Sequence, residues 1–312
     1  MLTRSAVVVA SLLCLLALAS CGSPSVTTGS PTRTVASSPA ATPTPSATPV
    51  PQTPPASYTA HILYQGAARP DDLAFDLQRH ILFSDFYAGT ISRLNSDGSV
   101  TVLMRGINGP EGLVVLKDGT MIIAEQRTNR ILTLAPGAAA PTLLKALPGT
   151  PSGATCKDGV DGIALDPTTN TLIIPDSPTG DVYRLSLDGQ TFTLLASGIV
   201  RPVGAGVDKQ GNIYIADECG GAVVKVTPTG AKTTLGGFGM PDDIDFDLQD
   251  DLLVTDLKPN IHALVRMNLT TGQHETLATE GFIEPQGMVV DSQGNIFVSD
   301  DASNRIVEFT PA

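Results

Sequence analysis

One plan recurs six times along this chain. A short turn opens each copy and leads into an apolar strand. A second turn follows, and then a second strand that ends in an acid. The openings are Pro70-Asp71-Asp72-Leu73, Pro110-Glu111-Gly112-Leu113, Val160-Asp161-Gly162-Ile163, Pro202-Val203-Gly204-Ala205, Pro241-Asp242-Asp243-Ile244 and Pro285-Gln286-Gly287-Met288. The second strands run from Ile81-Leu82-Phe83-Ser84-Asp85 in the first copy to Ile296-Phe297-Val298-Ser299-Asp300 in the sixth. A third strand, such as Arg130-Ile131-Leu132-Thr133-Leu134, and a fourth, such as Phe192-Thr193-Leu194-Leu195-Ala196, complete the unit. Copies start about 40 to 50 residues apart, the period of propeller blades. Short β-branched runs separated by Gly, Asp and Asn turns, with no long helical period, indicate an all-β chain. The expected fold is a six-bladed β-propeller.

The two ends of the repeat fix the blade count. The sixth copy stops after its third strand, Arg305-Ile306-Val307-Glu308-Phe309, and a lone strand-like segment at residues 61–65 precedes the first copy. If that segment serves as the outer strand of the last blade, the ring closes and two open sheet edges disappear.

The segments Glu125-Gln126-Arg127-Thr128-Asn129-Arg130-Ile131 and Asp300-Asp301-Ala302-Ser303-Asn304-Arg305-Ile306 resemble the NHL repeat. The Pro-Glu-Gly and Pro-Asp-Asp openings resemble those of the gluconolactonase and senescence-marker-protein family, also six-bladed propellers. Together the resemblance spans nearly all of residues 69–312. It implies the fold; for activity it points in several directions, because such repeats serve sensors, scaffolds, lyases and lactonases.

Three regions divide the chain. Residues 1–21 read as a secretory signal, with Arg4 ahead of an apolar run too short to cross a membrane. The run ends in Leu18-Ala19-Ser20-Cys21, which resembles a bacterial lipobox. That implies cleavage before Cys21 and lipid on its new N-terminus, the other readings being an ordinary cleaved signal or a short uncleaved anchor. Residues 22–57 are almost entirely Ser, Thr, Pro, Ala, Gly and Val and lack the apolar content to fold, so they read as an extended linker. Residues 58–312 form the propeller. The expected location is therefore the cell envelope, on the extracytoplasmic side, as a monomer held to the membrane through Cys21. A formal charge of -12 argues against nucleic acid as a partner. Of the four cysteines, Cys156 and Cys219 remain in the folded part, and an oxidising compartment suggests a disulfide between them.

Comparing the six copies with one another separates architecture from candidate chemistry. The acid closing each second strand (Asp85, Glu125, Asp176, Asp217, Asp256, Asp300) occurs in every copy and should accept hydrogen bonds from the following loop. Asp76, Asp166, Asp208, Asp247 and Asp291, at the end of the first strand, should cap the next turn in the same way. The second opening position varies: Asp71, Glu111, Asp161, Val203, Asp242, Gln286. First strands line the channel of a propeller, so these residues should ring its mouth, with Asp72 and Asp243 adding charge. Such a ring is either a solvated acidic well or a site for calcium or another hard divalent cation held by Asp71, Glu111, Asp161 and Asp242.

The gluconolactonase resemblance implies an ion held by a Glu, two Asn and an Asp. Glu111 and Asp242 match the Glu and the Asp, no opening position is Asn, and Val203 offers no donor. A lyase of the streptogramin type would need a histidine at the mouth, for which His262 is the candidate by position. Phe86 and Tyr87 offer aromatic surface beside the mouth, and the long loop at residues 147–158 carries Cys156. Two functions are expected from these residues. One is a binding module for a protein, glycan or small-molecule ligand on the acidic, loop-bearing face. The alternative is a metal-dependent lactonase with Asp242 as the candidate catalytic acid.

Overall fold

The computed structural model describes residues 57–279 and 281–312; the signal, Cys21 and nearly all of the linker lie outside them. Six antiparallel four-stranded sheets form the six blades. Blade 1 comprises Leu73–Phe75, Ile81–Asp85, Thr90–Leu94 and Val100–Arg105, from the axis outwards. The other blades repeat this order.

The second strands explain the apolar runs read from the sequence. In blades 1, 4, 5 and 6 every residue of this strand is buried. A neighbouring blade covers each face, so alternation between apolar and polar residues gives way to a continuous run. The core is accordingly divided into six clusters, each lying between adjacent blades. The cluster between blades 4 and 5, for instance, joins Val203, Tyr214 and Val223 to Leu252, Val254 and Val265.

Blade 6 closes as expected. The strand Tyr58–Gln65, three residues longer than the expected 61–65, pairs antiparallel with Arg305–Pro311, His61 facing Glu308 and Ile62 facing Val307. The last blade therefore unites the two ends of the folded chain.

The acids that end the second strands do more than cap the following loop. Asp217 accepts from the backbone N–H groups of Val200 (3.2 Å) and Arg201 (2.9 Å) before the blade, and of Gly220 (3.1 Å) after the strand. Asp256 takes Gly239, Met240 and Lys258 in the same pattern, and Asp300 takes Ile283, Glu284 and Ser303. Asp85, Glu125 and Asp176 receive Arg69, Asn108 and Gly149 respectively from the preceding inter-blade loop. All six carboxylates thus fasten the chain entering the blade to the loop between its second and third strands, and both sets of loops share one face of the ring. Asp76, Asp166, Asp208, Asp247 and Asp291 cap turns on the other face, each accepting two backbone N–H groups within four residues.

The third opening position holds neighbouring blades together. A Cβ on Gly204 would sit 2.3 Å from the Asp242 carbonyl oxygen, and one on Gly287 would sit 2.5 Å from the Asp72 Cα. The inner strands meet backbone to backbone there. Asp72 and Asp243, expected to add charge to the mouth, also bond the next blade: Asp72 accepts from Leu113 N–H at 2.6 Å and Asp243 from Met288 N–H at 2.7 Å.

Two measurements check this account. Deleting residues 57–65 should abolish the cooperative thermal transition followed by circular dichroism, because it opens two sheet edges. Asp256→Ala should lower stability by about 2–4 kcal/mol in urea denaturation by stranding backbone donors, with Asp256→Asn losing less.

Candidate functional site at the mouth of the ring

The entrance of the chain into each first strand sets the second opening residue at the axis. Asp71, Asp161 and Asp242 line a narrow axial cavity of about 10 Å³ together with Asp72, Asp243 and three of the packing glycines, Gly162, Gly204 and Gly287. A cavity of that size holds about one water molecule. Glu111 lies beside it, its carboxyl hydrogen-bonded to that of Asp71. Val203, the apolar member of the set, is fully buried in the core between blades 4 and 5 and does not reach the mouth. Gln286 is only partly buried, and its carbonyl is held by the Thr255 hydroxyl at 2.7 Å.

The acids are close, buried and short of cations. Burial pushes the Asp71 carboxyl up to about 7; the bond from Glu111 works against that rise, and the charges of Asp161, Asp301 and Asp85 add to it. Glu111 is raised well above the usual carboxylate range, by burial first and then by the charge of Asp71. Asp242 is also raised, by burial first and then by the charge of Asp161, with Arg201 opposing. Asp243 rises to about 7, again through burial, with its bonds from Ile244 and Met288 opposing. Asp161 is raised by burial, with Arg201 opposing.

Arg201 is the cation that the sequence reading overlooked. Its side chain is 13% exposed and reaches Asp161 at 3.2 Å, Asp158 at 3.5 Å and Glu218 in direct contact. It stands just before the opening whose second residue is Val203, so the copy lacking a polar group there supplies an arginine one turn earlier. Gln126 adds a second bond to Asp161 at 3.2 Å. Asp161 is therefore committed to protein partners, whereas Asp71 and Glu111 are bonded to each other and Asp242 only feels the charge of Arg201.

Around this well the loops carry the other candidates. Cys156 and Cys219 are bonded, with Cα atoms 6.2 Å apart, tying loop 147–158 to blade 4. Phe86 and Tyr87 meet edge to face, with ring centroids 5.1 Å apart. The Arg69 guanidinium lies 3.7 Å from the Tyr87 ring centroid and that of Arg127 4.2 Å from Phe86, an arrangement of cations on aromatic faces. Tyr87 remains 57% exposed. Arg69 also pairs with Asp301 at 2.9 Å. His262 sits in the corresponding loop of blade 5 with a left-handed backbone (φ 44°) and does not line the axial cavity.

The donors offered at the mouth are oxygens only, the chemistry that suits a hard divalent cation. Among the described residues, no three His, Cys, Asp or Glu side chains are arranged to hold a metal ion.

Solved structures of known proteins share the fold. A gluconolactonase from Xanthomonas campestris is 17% identical, over 82% of this chain and 90% of its own, with a TM-score of 0.67. A catalytically inactive virginiamycin B lyase from Staphylococcus aureus, solved with quinupristin, is 18% identical over 79% and 82%, with a TM-score of 0.61. A chain of the nidogen/laminin complex is 20% identical over 74% and 93%, with a TM-score of 0.60. No family model matches the sequence. No curated protein matches it either. The likeness agrees with the six-bladed β-propeller; at these identities it carries the fold and not the chemistry.

Two outcomes follow from the site. An acid whose pKa is higher in the folded than in the unfolded state contributes most below its unfolded value, near 4, and loses that contribution as pH rises through the folded value. In chelator-treated protein, stability should therefore fall from pH about 5 to pH 8, and Asp71→Asn should flatten the fall, as read by urea denaturation at each pH. Breaking the disulfide with Cys219→Ser should cost about 2–4 kcal/mol, and oxidised, denatured wild type should show no free thiol from this pair.

Proposed function

We propose that this protein is an extracytoplasmic binding module, tethered to the membrane through a lipidated Cys21, that receives a positively charged group of its ligand in the acidic mouth. The observation that carries the reading is the gathering of Asp71, Glu111 and Asp242, buried and raised even though Arg201 opposes the rise at Asp242. A cation placed there would relieve both burial and mutual repulsion. The surrounding loops suit recognition of a protein, glycan or small molecule: a disulfide-fastened loop on one side, and the arginine-backed Phe86 and Tyr87 on the other. That a chain of the nidogen/laminin complex shares this fold is consistent with protein binding by such a ring.

A second reading rests on Glu111 and on the likeness to gluconolactonases: a lactonase whose divalent ion is held by Asp71, Glu111, Asp161 and Asp242, with Asp242 as the catalytic acid. The ion would supply Lewis-acid polarisation of the lactone carbonyl. Against this stand the commitment of Asp161 to Arg201 and Gln126 and the burial of Val203.

Melting temperatures separate the readings, since a ligand of the native state alone raises stability in a concentration-dependent way. The binding reading expects an organic diamine such as cadaverine to raise the melting temperature, and Glu111→Gln to weaken that rise. It expects no turnover of glucono-lactone or acyl lactones. Lactone hydrolysis that needs calcium and vanishes in folded Asp242→Asn would replace it with the enzyme. A melting temperature indifferent to diamine, calcium and chelator alike would remove both roles. For the tether, Cys21→Ser should move the protein from the membrane to the soluble fraction and abolish fatty-acid labelling.

A further inference from the structure

Far from the axis, the outer strands of blades 5 and 6 leave a groove of about 510 Å³ between them. Its walls are Ile62 from the closing strand, Leu277 and Ala278 from blade 5's outer strand, and Phe282, Val307 and Phe309. The interface between blades 2 and 3 is filled differently: there Phe192 of the outer strand stacks on Tyr183 with ring centroids 4.3 Å apart. Blade 5 puts Ala278 and Thr276 along its side of the groove, and Tyr58 and Phe282 line it without filling it.

Among the described residues, Arg305 is the only charged one lining the groove, and it stands at one end. Its counterpart in blade 2, Arg130, has its Nε bonded to Glu125 at 2.8 Å and to Thr128 at 2.9 Å. In blade 6 the shorter Asp300 and Ser303 replace that pair. Ser303 turns its hydroxyl to the Asp300 carbonyl, and the Arg305 guanidinium is held through Nη2 by the Gly281 carbonyl and, at 3.5 Å, by Asp300. Its Nε is buried without an acceptor among the described residues. The side chain as a whole remains 12% exposed, so a ligand carboxylate can reach its terminal nitrogens. Asp300 already accepts three backbone N–H groups, so its negative charge is shared. From Arg305 to Phe309 the strand runs four residues, about 13 Å, which gives the groove the length of an extended hydrocarbon chain of moderate size.

We infer that this groove binds a single-chain amphiphile, a fatty acid, with its alkyl chain between blades 5 and 6 and its carboxylate on Arg305. The volume lies within the range of small-molecule sites, which combine mostly apolar walls with a few placed polar groups. The arginine fork is matched to a carboxylate. The site lies on the perimeter and does not depend on the ligand proposed for the mouth.

Isothermal titration of the full chain with dodecanoate, below its micellar concentration, tests the assignment. One molecule should bind per chain. Ala278→Leu, which fills the groove, should weaken binding by at least about tenfold, and Arg305→Lys should weaken dodecanoate about tenfold while leaving dodecanol unchanged. If Ala278→Leu does not fold by circular dichroism, Ala60→Leu on the opposite wall gives the same reading. Absence of saturable dodecanoate binding to wild type would overturn the proposal, as would binding unaltered by the groove-filling variants. Equal affinity for dodecanoate and dodecanol, indifferent to Arg305→Lys, would overturn the carboxylate assignment.

Discussion

The ring depends on a single repeated interaction, the carboxylate at the end of each second strand reaching back to the chain that enters its blade. An inter-blade loop crosses from the outer edge of one sheet to the axis of the next, and its backbone N–H groups leave the ladder there. Without partners they would be costly to bury. Asp217, Asp256 and Asp300 each take two of these groups and a third from the loop beyond the strand, fixing both loops at once. A short acid is needed because it is acceptor-only and has room for several donors. Glu125, the one longer member, takes one loop N–H and spends its other oxygen on Arg130 and Thr128.

These clamps make the mouth possible. Buried carboxylates repel one another and lose hydration, and a flexible scaffold would let them separate. Here the inner strands are locked backbone to backbone at Gly162, Gly204 and Gly287 and by the side chains of Asp72 and Asp243. The second opening residues therefore have nowhere to retreat. Their raised pKa values result from a frame whose own stability comes from the six inter-blade cores and the clamps.

The fold was legible because its signals are local and repeat: β-branched runs, Asp turns and an unpaired strand before the first copy. Even the limits of the closing strand were nearly right, the error being three residues at Tyr58. The site was legible only in part. Position in the repeat grouped Asp71, Asp161 and Asp242, which line one small cavity. It could not reveal that Val203 turns into the core, since a repeat fixes where a residue starts and packing decides where its side chain goes. Nor could it show that Asp72 and Asp243, while lining the same cavity, also accept a backbone N–H from the next blade, because contact between blades is a tertiary fact. Arg201 was missed because its partners Asp158, Asp161 and Glu218 come from different blades and loops. A signal did exist: an arginine beside the one opening whose second position is apolar.

Arg201 also divides the mouth into unlike halves. On the side of blades 3 and 4 the negative charge of Asp161 is balanced, and the disulfide holds the loop that carries Asp158 close by. On the side of blades 1 and 2 burial raises Asp71 and Glu111, and the charge of Asp71 raises Glu111 further, while Asp242 of blade 5 is raised by burial and Asp161 against the opposing charge of Arg201. A symmetric ring of acids would attract any cation to its axis with no preferred orientation. Here the charge is unevenly spread, and on the side of blades 1 and 2 the acids share their flank with Phe86 and Tyr87, over whose rings Arg127 and Arg69 lie. The departure from sixfold regularity is thus what gives this face a direction, and it arises from residues that differ between otherwise similar blades.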